Sequence, residues 1–437
     1  MTEQDDKAVV AAISHWQGAA HWEARELALI GAEHVRPICP DLDLWDCWPM
    51  QHEDGATAEI GGVQYWFFLS APKLPDPAHR HVHARIRLMK LSGGEWTDLG
   101  PALPAELSPG HAEWAGSCVL HDDGISVSLF FTASGRRGGG PSFEQRIFAI
   151  RGDLSDVAGP GNWSTPEELF EADGRLFQPA NSPDGEPGTI KAFRDPAWFR
   201  DPADGTCYLL FTGSAGWSDD PHNGLIGYAR WTGESWELGR PLIHAVGTNN
   251  ELERPHVLYR RGSYYMFWST QSHTFSPKVE PGPNGLYGAV ADHMLGPWRM
   301  VNGSGLVAAN PEAEPIQAYS WWVTGDGEAW SFIDYWGMQG RTLATHPDLL
   351  RSHFGGTPAP RGQLCWLCLF GTDQAGYRGG GRMSLGLDHP LVCVTDLPAM
   401  RETYLSLGFK MRPAGMHPWG TSTALVIFRN QLLELVG

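Results

Sequence analysis

Carboxylates set among tryptophans give this chain its most informative chemistry. Asp46 stands between Trp45 and Trp48, whose flat apolar faces can stack on a sugar ring and exclude water. Glu253 precedes Arg254 and lies two residues after Glu251. On a strand those two acids share a face, so they repel and one of them is held protonated near neutral pH, as a general acid requires. Asp195 follows Arg194, and the adjoining cation is expected to keep it ionised, ready to accept bonds from sugar hydroxyls. Glycosyl transfer uses such a set, with one carboxylate on the anomeric carbon and one protonated carboxyl at the leaving oxygen.

Residues so far apart meet only if a repeated fold gathers them. Five segments, 62–70, 124–134, 205–214, 262–271 and 327–336, each open on a glycine followed by aromatic and aliphatic residues, the pattern of a strand leaving a turn. Four of the units later carry a tryptophan near a glycine, at Trp96, Trp163, Trp236 and Trp298. Strand, turn, strand and a tryptophan-bearing outer strand make a β-propeller blade, so the reading is an all-β, five-bladed propeller. Upstream of each glycine, segments 44–50, 111–120, 192–199, 251–258 and 317–323 read as innermost strands. Their leading residues Asp46, Glu113, Asp195, Glu253 and Tyr319 are then expected to converge at one mouth of the central channel. Taken singly, each acid could equally be a solvent-facing turn residue; five in register argue for convergence.

Composition narrows the partners. The 437 residues include 53 glycines, 33 prolines and 20 tryptophans, which is turn-rich yet supplies apolar area for a large core and excludes a disordered chain. A net charge of −18 opposes nucleic acid and anionic membrane as partners and favours neutral or cationic ligands. No apolar run is long enough to span a bilayer. The first seven residues lack a basic n-region, so no leader is read, and export without a visible leader stands beside a cytoplasmic location. Seven scattered cysteines, with one C-x-x-C at Cys365 and Cys368, fit free thiols better than disulfides or a zinc site. Helical spacing from Ala8 to Ala32 predicts one or two short helices that cap the propeller bottom or clasp its last blade. Past residue 360 the blade pattern stops, and residues 371–386 read as a glycine-rich linker.

Five ordered motifs resemble glycoside hydrolase family 68, the levansucrases, inulosucrases and bacterial β-fructofuranosidases. They are Trp45-Asp46-Cys47-Trp48-Pro49, Glu113-Trp114-Ala115-Gly116-Ser117, Phe193-Arg194-Asp195-Pro196, Glu251-Leu252-Glu253-Arg254-Pro255-His256 and Gln317-Ala318-Tyr319-Ser320. The resemblance implies a five-bladed propeller, in agreement with the repeats, and a retaining fructosyltransferase acting on sucrose with fructan, sucrose or water as acceptor. It makes Asp46 the nucleophile, Asp195 the transition-state stabiliser and Glu253 the general acid/base. Trp45, Trp114, Arg194, Glu251, Arg254, His273 and Tyr319 would line the sucrose pocket. His273 falls where Gram-positive relatives place an arginine, against the competing reading of an ordinary strand-end histidine. No cofactor is implied. A chiefly hydrolytic β-fructofuranosidase and a propeller that binds sugar without turnover are the alternatives.

Three departures qualify the resemblance. Ala115 stands where the family usually has serine, in the segment that contacts the nucleophile and sugar. The calcium-binding acids of Gram-positive members have no counterpart, since Asn249 and Asn250 precede Glu251, so no metal is expected to be required. Residues 387–437 resemble one βαβββ module of a glyoxalase-like domain, with His389 and Glu434 where metalloenzymes of that family place ligands. Two modules normally complete such a site, so this one reads as a small α+β appendage. The expected organisation is a catalytic propeller over residues 1–365, a linker over 366–386 and the partial module over 387–437.

Overall fold

The computed structural model describes residues 9–18, 25–155, 159–182, 188–360 and 362–363, together with 391–393, 397–406, 410–411, 415–416, 422–427 and 432–436. Glycine sets the hairpins. Gly62, Gly124, Gly205, Gly262 and Gly327 all take positive φ, from +70° to +92°, where a β-carbon would be strained, and each hands the chain to a β-branched and aromatic strand.

Antiparallel meanders follow in chain order. The first comprises Leu42–His52, Val63–Pro72, Arg85–Ser92 and Glu95–Pro101, and the second Ala112–Leu120, Ser126–Ser134, Gln145–Ser155 and Glu167–Phe170. Phe193–Arg200, Cys207–Ser214, Gly224–Trp231 and Trp236–Leu238 make the third, and Glu253–Arg260, Ser263–Thr270, Gly285–Ala291 and Leu306–Ala309 the fourth. Ala318–Val323, Glu328–Tyr335 and Phe354–Pro358 form the fifth. Parallel pairing of Met50, Gln51 and His52 with Cys118, Val119 and Leu120 joins the first two into one sheet. Each meander's first strand packs against the first strand of the next, and that of the fifth packs back on Leu42–His52. Aromatic rings wedge the closing seam: Trp66 lies 4.2 Å from Trp330, and both meet Trp96 at 6.0 Å.

The N-terminal segment departs from the helical expectation. Ser14–His15 pairs in parallel with Ile243–His244, and Arg25–Glu26 pairs in parallel with Ala308 and Ala309. Helical turns among the described residues there are confined to 9–11 and Ala32–His34. Tertiary packing overrides the local pattern: the outer edges of the third and fourth meanders offer unpaired backbone, and Trp16 is fully buried among Trp268, Phe275 and Tyr287. The Trp16 indole donates to the Ser304 carbonyl at 2.9 Å, which fixes the strand's depth.

Two compact units divide the chain, Met1–Gly371 and Thr372–Gly437. In the second, Leu391–Cys393 runs parallel to Leu432–Val436, which pairs with Ser422–Ile427, and the helix Leu397–Ser406 follows the first strand. The expected linker, 366–386, lies outside the described residues, as does His389.

Candidate functional site

Every first strand breaks its ladder at the same place. The pairing shifts between Trp45 and Trp48, Trp114 and Gly116, Arg194 and Ala197, Glu253 and His256, and Tyr319 and Trp322. In four of these bulges a non-glycine residue is left-handed: Asp46 at φ 45°, Asp195 at 63°, Arg254 at 53° and Ser320 at 60°. Such backbone costs on the order of 1–2 kcal/mol per residue and persists where neighbours hold it, typically beside functional sites. In the second strand Gly116 supplies the close approach instead, since a β-carbon there would lie 1.9 Å from the Phe130 carbonyl. Hydroxyls of adjacent second strands support the bulges. Thr132 Oγ1 accepts the Asp195 N–H at 2.9 Å and donates to the Ala115 carbonyl at 3.3 Å, while Thr212 Oγ1 accepts the Arg254 N–H at 3.1 Å.

This geometry corrects the expected register. Asp46 and Asp195 occupy the bulge itself, Glu253 and Tyr319 precede it by one residue, and Glu113 precedes it by two. The equivalents of Asp46 are Ala115, Asp195, Arg254 and Ser320. Glu113 is turned away and serves the wall. Buried, it accepts the Ile86 N–H at 2.8 Å, and burial raises its pKa against that bond and one from Ser108.

Arg194 gathers the acids. Its Nη2 lies 2.8 Å from Glu253 Oε1 and 3.6 Å from Glu251 Oε1, and its Nε is 3.6 Å from Asp195 Oδ2. The strand begins only at Glu253, so Glu251 and Glu253 meet through this guanidinium and not through strand alternation. Gln145 steadies Arg194 from behind: its Oε1 accepts the Phe193 N–H at 2.9 Å and the Arg194 Nη1 at 3.5 Å. The second oxygen of Glu253 accepts the Tyr319 hydroxyl. Asp195 Oδ2 accepts the Thr212 hydroxyl at 3.0 Å and the Arg254 N–H at 3.3 Å.

Beneath Asp46, Arg254 is 2% exposed, and its guanidinium bonds the Ser320 hydroxyl at 2.8 Å and the Cys47 carbonyl at 2.7 Å between the rings of Trp48 and Trp322. Those bonds lock two bulges together, so Arg254 supports the backbone that carries Asp46. Trp45 is buried, with the Arg80 guanidinium 5.3 Å above its ring and His81 edge-on at 6.0 Å. Trp114, also buried, donates its indole N–H to the His81 carbonyl at 2.9 Å. His273 sits in the turn Ser272–Thr274, exposed, with its ring over Gly188.

Desolvation dominates the electrostatics. Burial raises the pKa of Asp46, and Glu253 adds to it, while Arg254, Ser320 and Arg80 oppose. Asp195 is pushed up to about 6 by burial despite Arg194, so the cation expected to hold it low is outweighed. Glu251 is raised first by burial and next by Glu253, making it the member of the pair held toward the protonated form.

Several partners in the site carry little signal in the sequence. Arg80 and His81 come from the turn Pro77–His83, whose cap Asp76 accepts the Ala78 N–H at 2.8 Å; Asp-Pro between two strands is the available signal. Asp334 faces the same space, its pKa raised to about 7 by burial, with Arg80 opposing and Asp46 adding. Nothing in the sequence singles out the serines and threonines. Among the described residues no group of three or more His, Cys, Asp or Glu is placed to hold a metal, and no helix is long and apolar enough to cross a membrane.

A family model described as Levansucrase/Invertase matches residues 27–224 and 219–360, and one described as a Glyoxalase-like domain matches 387–437. A levansucrase of Pseudomonas savastanoi pv. glycinea is 31% identical over 371 residues, covering 74% of this chain and 84% of the relative. A levansucrase of Zymomonas mobilis is 30% identical over 410 residues, covering 85% and 93%. Among solved structures, the inulosucrase from Halalkalicoccus jeotgali bound to kestose superposes with a TM-score of 0.71 at 37% identity, covering 80% of this chain and 92% of that one.

Proposed function

The chain belongs to the levansucrase/invertase family, glycoside hydrolase family 68, and from that premise we propose a retaining fructosyltransferase of sucrose in which Asp46, Asp195 and Glu253 carry the chemistry. The observation that carries this reading is the guanidinium of Arg194, which touches Asp195, Glu251 and Glu253 together. Asp46 attacks the fructosyl anomeric carbon while Glu253 protonates the glycosidic oxygen, releasing glucose and leaving a fructosyl ester on Asp46. Glu253 then takes a proton from the acceptor hydroxyl, whose oxygen displaces Asp46. Asp195 stays ionised above its raised pKa and stabilises positive charge at the anomeric carbon and bonds to sugar hydroxyls. Glu251 accepts from sugar hydroxyls beside Arg194, Tyr319 and His273 fix the acid/base side, and Trp45 and Trp114 wall the pocket.

The five meanders, closed on one another by their first strands, support a five-bladed propeller with the site at one mouth of its channel. We assign this catalytic unit to residues 1–365 and the appendage to 387–437, where the glyoxalase-like match lies.

Incubation with sucrose and separate assay of glucose and fructose tests the function. Glucose in excess of fructose means transfer, equal release means a hydrolytic β-fructofuranosidase, and no release would leave a sugar-binding propeller. The retaining mechanism also requires Asp46 and Glu253 carboxyls about 5–5.5 Å apart in a sucrose complex; a separation beyond about 6.5 Å would indicate inversion.

A further inference from the structure

Lys191, two residues before the strand Phe193–Arg200, points its ammonium into a cage of oxygens. The Pro221 carbonyl lies at 2.6 Å, Asn223 Oδ1 at 2.7 Å and Asn250 Oδ1 at 2.8 Å. An ammonium has three N–H donors, so these acceptors use all of them. None of the acceptors is charged. The amide nitrogens of both asparagines are spent elsewhere, which turns their oxygens inward. Asn223 Nδ2 donates to the Ala215 carbonyl at 3.0 Å, and Asn250 Nδ2 donates to the Gly188 and Ile190 carbonyls at 3.0 and 3.1 Å.

The cage joins three segments that lead to the site. Asn250 immediately precedes Glu251, whose N–H donates to Asn249 Oδ1 at 2.8 Å. The Lys191 carbonyl accepts from Gln145 Nε2 at 2.8 Å, and the same Gln145 steadies Phe193 and Arg194. Pro221 and Asn223 belong to the loop entering Gly224–Trp231. A divalent cation does not fit here: the donors are neutral, and an ammonium already occupies their centre.

We infer that the Lys191 ammonium is a built-in cation that positions the Glu251 segment against Arg194, doing within the chain what a bound ion would otherwise do. Lys191 is therefore a positioning residue for the proposed fructosyl transfer, and this role rests on that reading of the site. Its charge also bears on Glu251. The groups facing Glu251 are Glu253, Asp195, Arg194 and the Tyr319 hydroxyl, with Asp220 and its partner Lys278 on the far side of Lys191. Losing the Lys191 charge shifts that balance toward protonated Glu251.

The experiment compares the full chain with Lys191→Ala and Lys191→Met, measuring kcat and KM for glucose release from sucrose across pH, and thermal melting, with and without methylammonium chloride. Misplacing the acids lowers kcat by roughly 10- to 100-fold in both variants. The acid limb of their pH profile moves to higher pH. Methylammonium restores kcat and the pH profile in Lys191→Ala, whose truncated side chain leaves room for it, but not in Lys191→Met, and tetramethylammonium restores neither. Unchanged kcat and pH profile in both variants would overturn the inference, as would a loss in Lys191→Ala that methylammonium leaves untouched. If Lys191→Ala does not fold, the pH profile of Lys191→Met decides. Should the unsubstituted chain release no glucose, the functional reading falls, while methylammonium-dependent melting of Lys191→Ala still decides whether the cage is a cation site.

Discussion

The Tyr319 hydroxyl donates to one oxygen of the Glu253 carboxylate while the Arg194 guanidinium holds the other at 2.8 Å. Glu253 therefore has both oxygens fixed by residues from two other meanders, which holds its carboxyl in one orientation. Removing a hydrogen bond to a charged group costs about 1.5–3 kcal/mol, so Tyr319→Phe is expected to lower kcat by ~10- to 100-fold. Its melting temperature should stay close to the parent's. Initial rates of glucose release check this, and a kcat within about twofold of the parent would show that Tyr319 does not orient the acid.

Much of this arrangement is legible in the sequence because it follows from local chemistry. The five glycine-led runs announce the hairpins, and Asp46, Asp195 and Glu253 all lie in the segments that form first strands. Register is what the sequence hides. A bulge inserts one residue and shifts the pairing, and Glu113, two positions before the inserted Ala115, accepts the Ile86 N–H in the wall. Nor does sequence order reveal the supports Thr132, Thr212 and Ser320, whose partners lie on neighbouring meanders. At the N-terminus, the helical spacing around Trp16 gives way to extended chain, because its burial beside Trp268 is reached from the open edge of a meander.

Asp46 is held left-handed between Arg254 and Ser320, and its substitution isolates the attacking step. Asp46→Ala is expected to reduce glucose release by at least ~10³-fold while leaving sucrose binding measurable by calorimetry. Full glucose release by this variant would mean that another group is the nucleophile. Mass spectrometry of the quenched parent during turnover should show one added fructosyl group on the peptide that contains Asp46.

Because burial lifts Asp195 to about 6 and raises Asp46 in the same direction, the acid side of the activity profile should break early. In the proposed mechanism, protonating Asp195 removes the charge that stabilises the anomeric centre, and protonating Asp46 removes the nucleophile. Log kcat/KM is expected to fall below about pH 6. The apparent value belongs to the coupled carboxylates together. A limb near pH 4, the ordinary carboxylate range, would show that the site is better solvated than its packing indicates.

Ala115 occupies the bulge position equivalent to Asp46, with 1% exposure and its carbonyl accepting from Thr132. Ala115→Ser adds a hydroxyl at that position. One neutral hydrogen bond is worth about 0.5–1.5 kcal/mol, which corresponds to roughly a 2- to 12-fold rise in kcat if the hydroxyl reaches Asp46 or the sugar. Comparison of kcat and of the transfer-to-hydrolysis ratio in the two proteins checks it. A fall in kcat with lowered melting would show that the second bulge has no room for the extra atom.

Asp195 also ties activity to a stability cost. Its folded pKa of about 6 lies above the ordinary 3.8, so its contribution to stability is complete below about pH 4 and is lost as pH rises through 6. At pH 8 the folded chain holds a desolvated charge that the unfolded chain holds in water. Asp195→Asn keeps the shape and the bond from Thr212 but has no charge to bury, so it should be more stable than the parent at pH 8 by on the order of 3 kcal/mol, and nearly equal to it at pH 4. Arg194 does not cancel the gain, because Glu253 and Glu251 remain beside it. The same substitution should abolish transfer. Denaturant unfolding of both proteins at the two pH values measures the difference, and an Asn variant less stable at pH 8 than at pH 4, relative to the parent, would mean that Arg194 outweighs desolvation at this position.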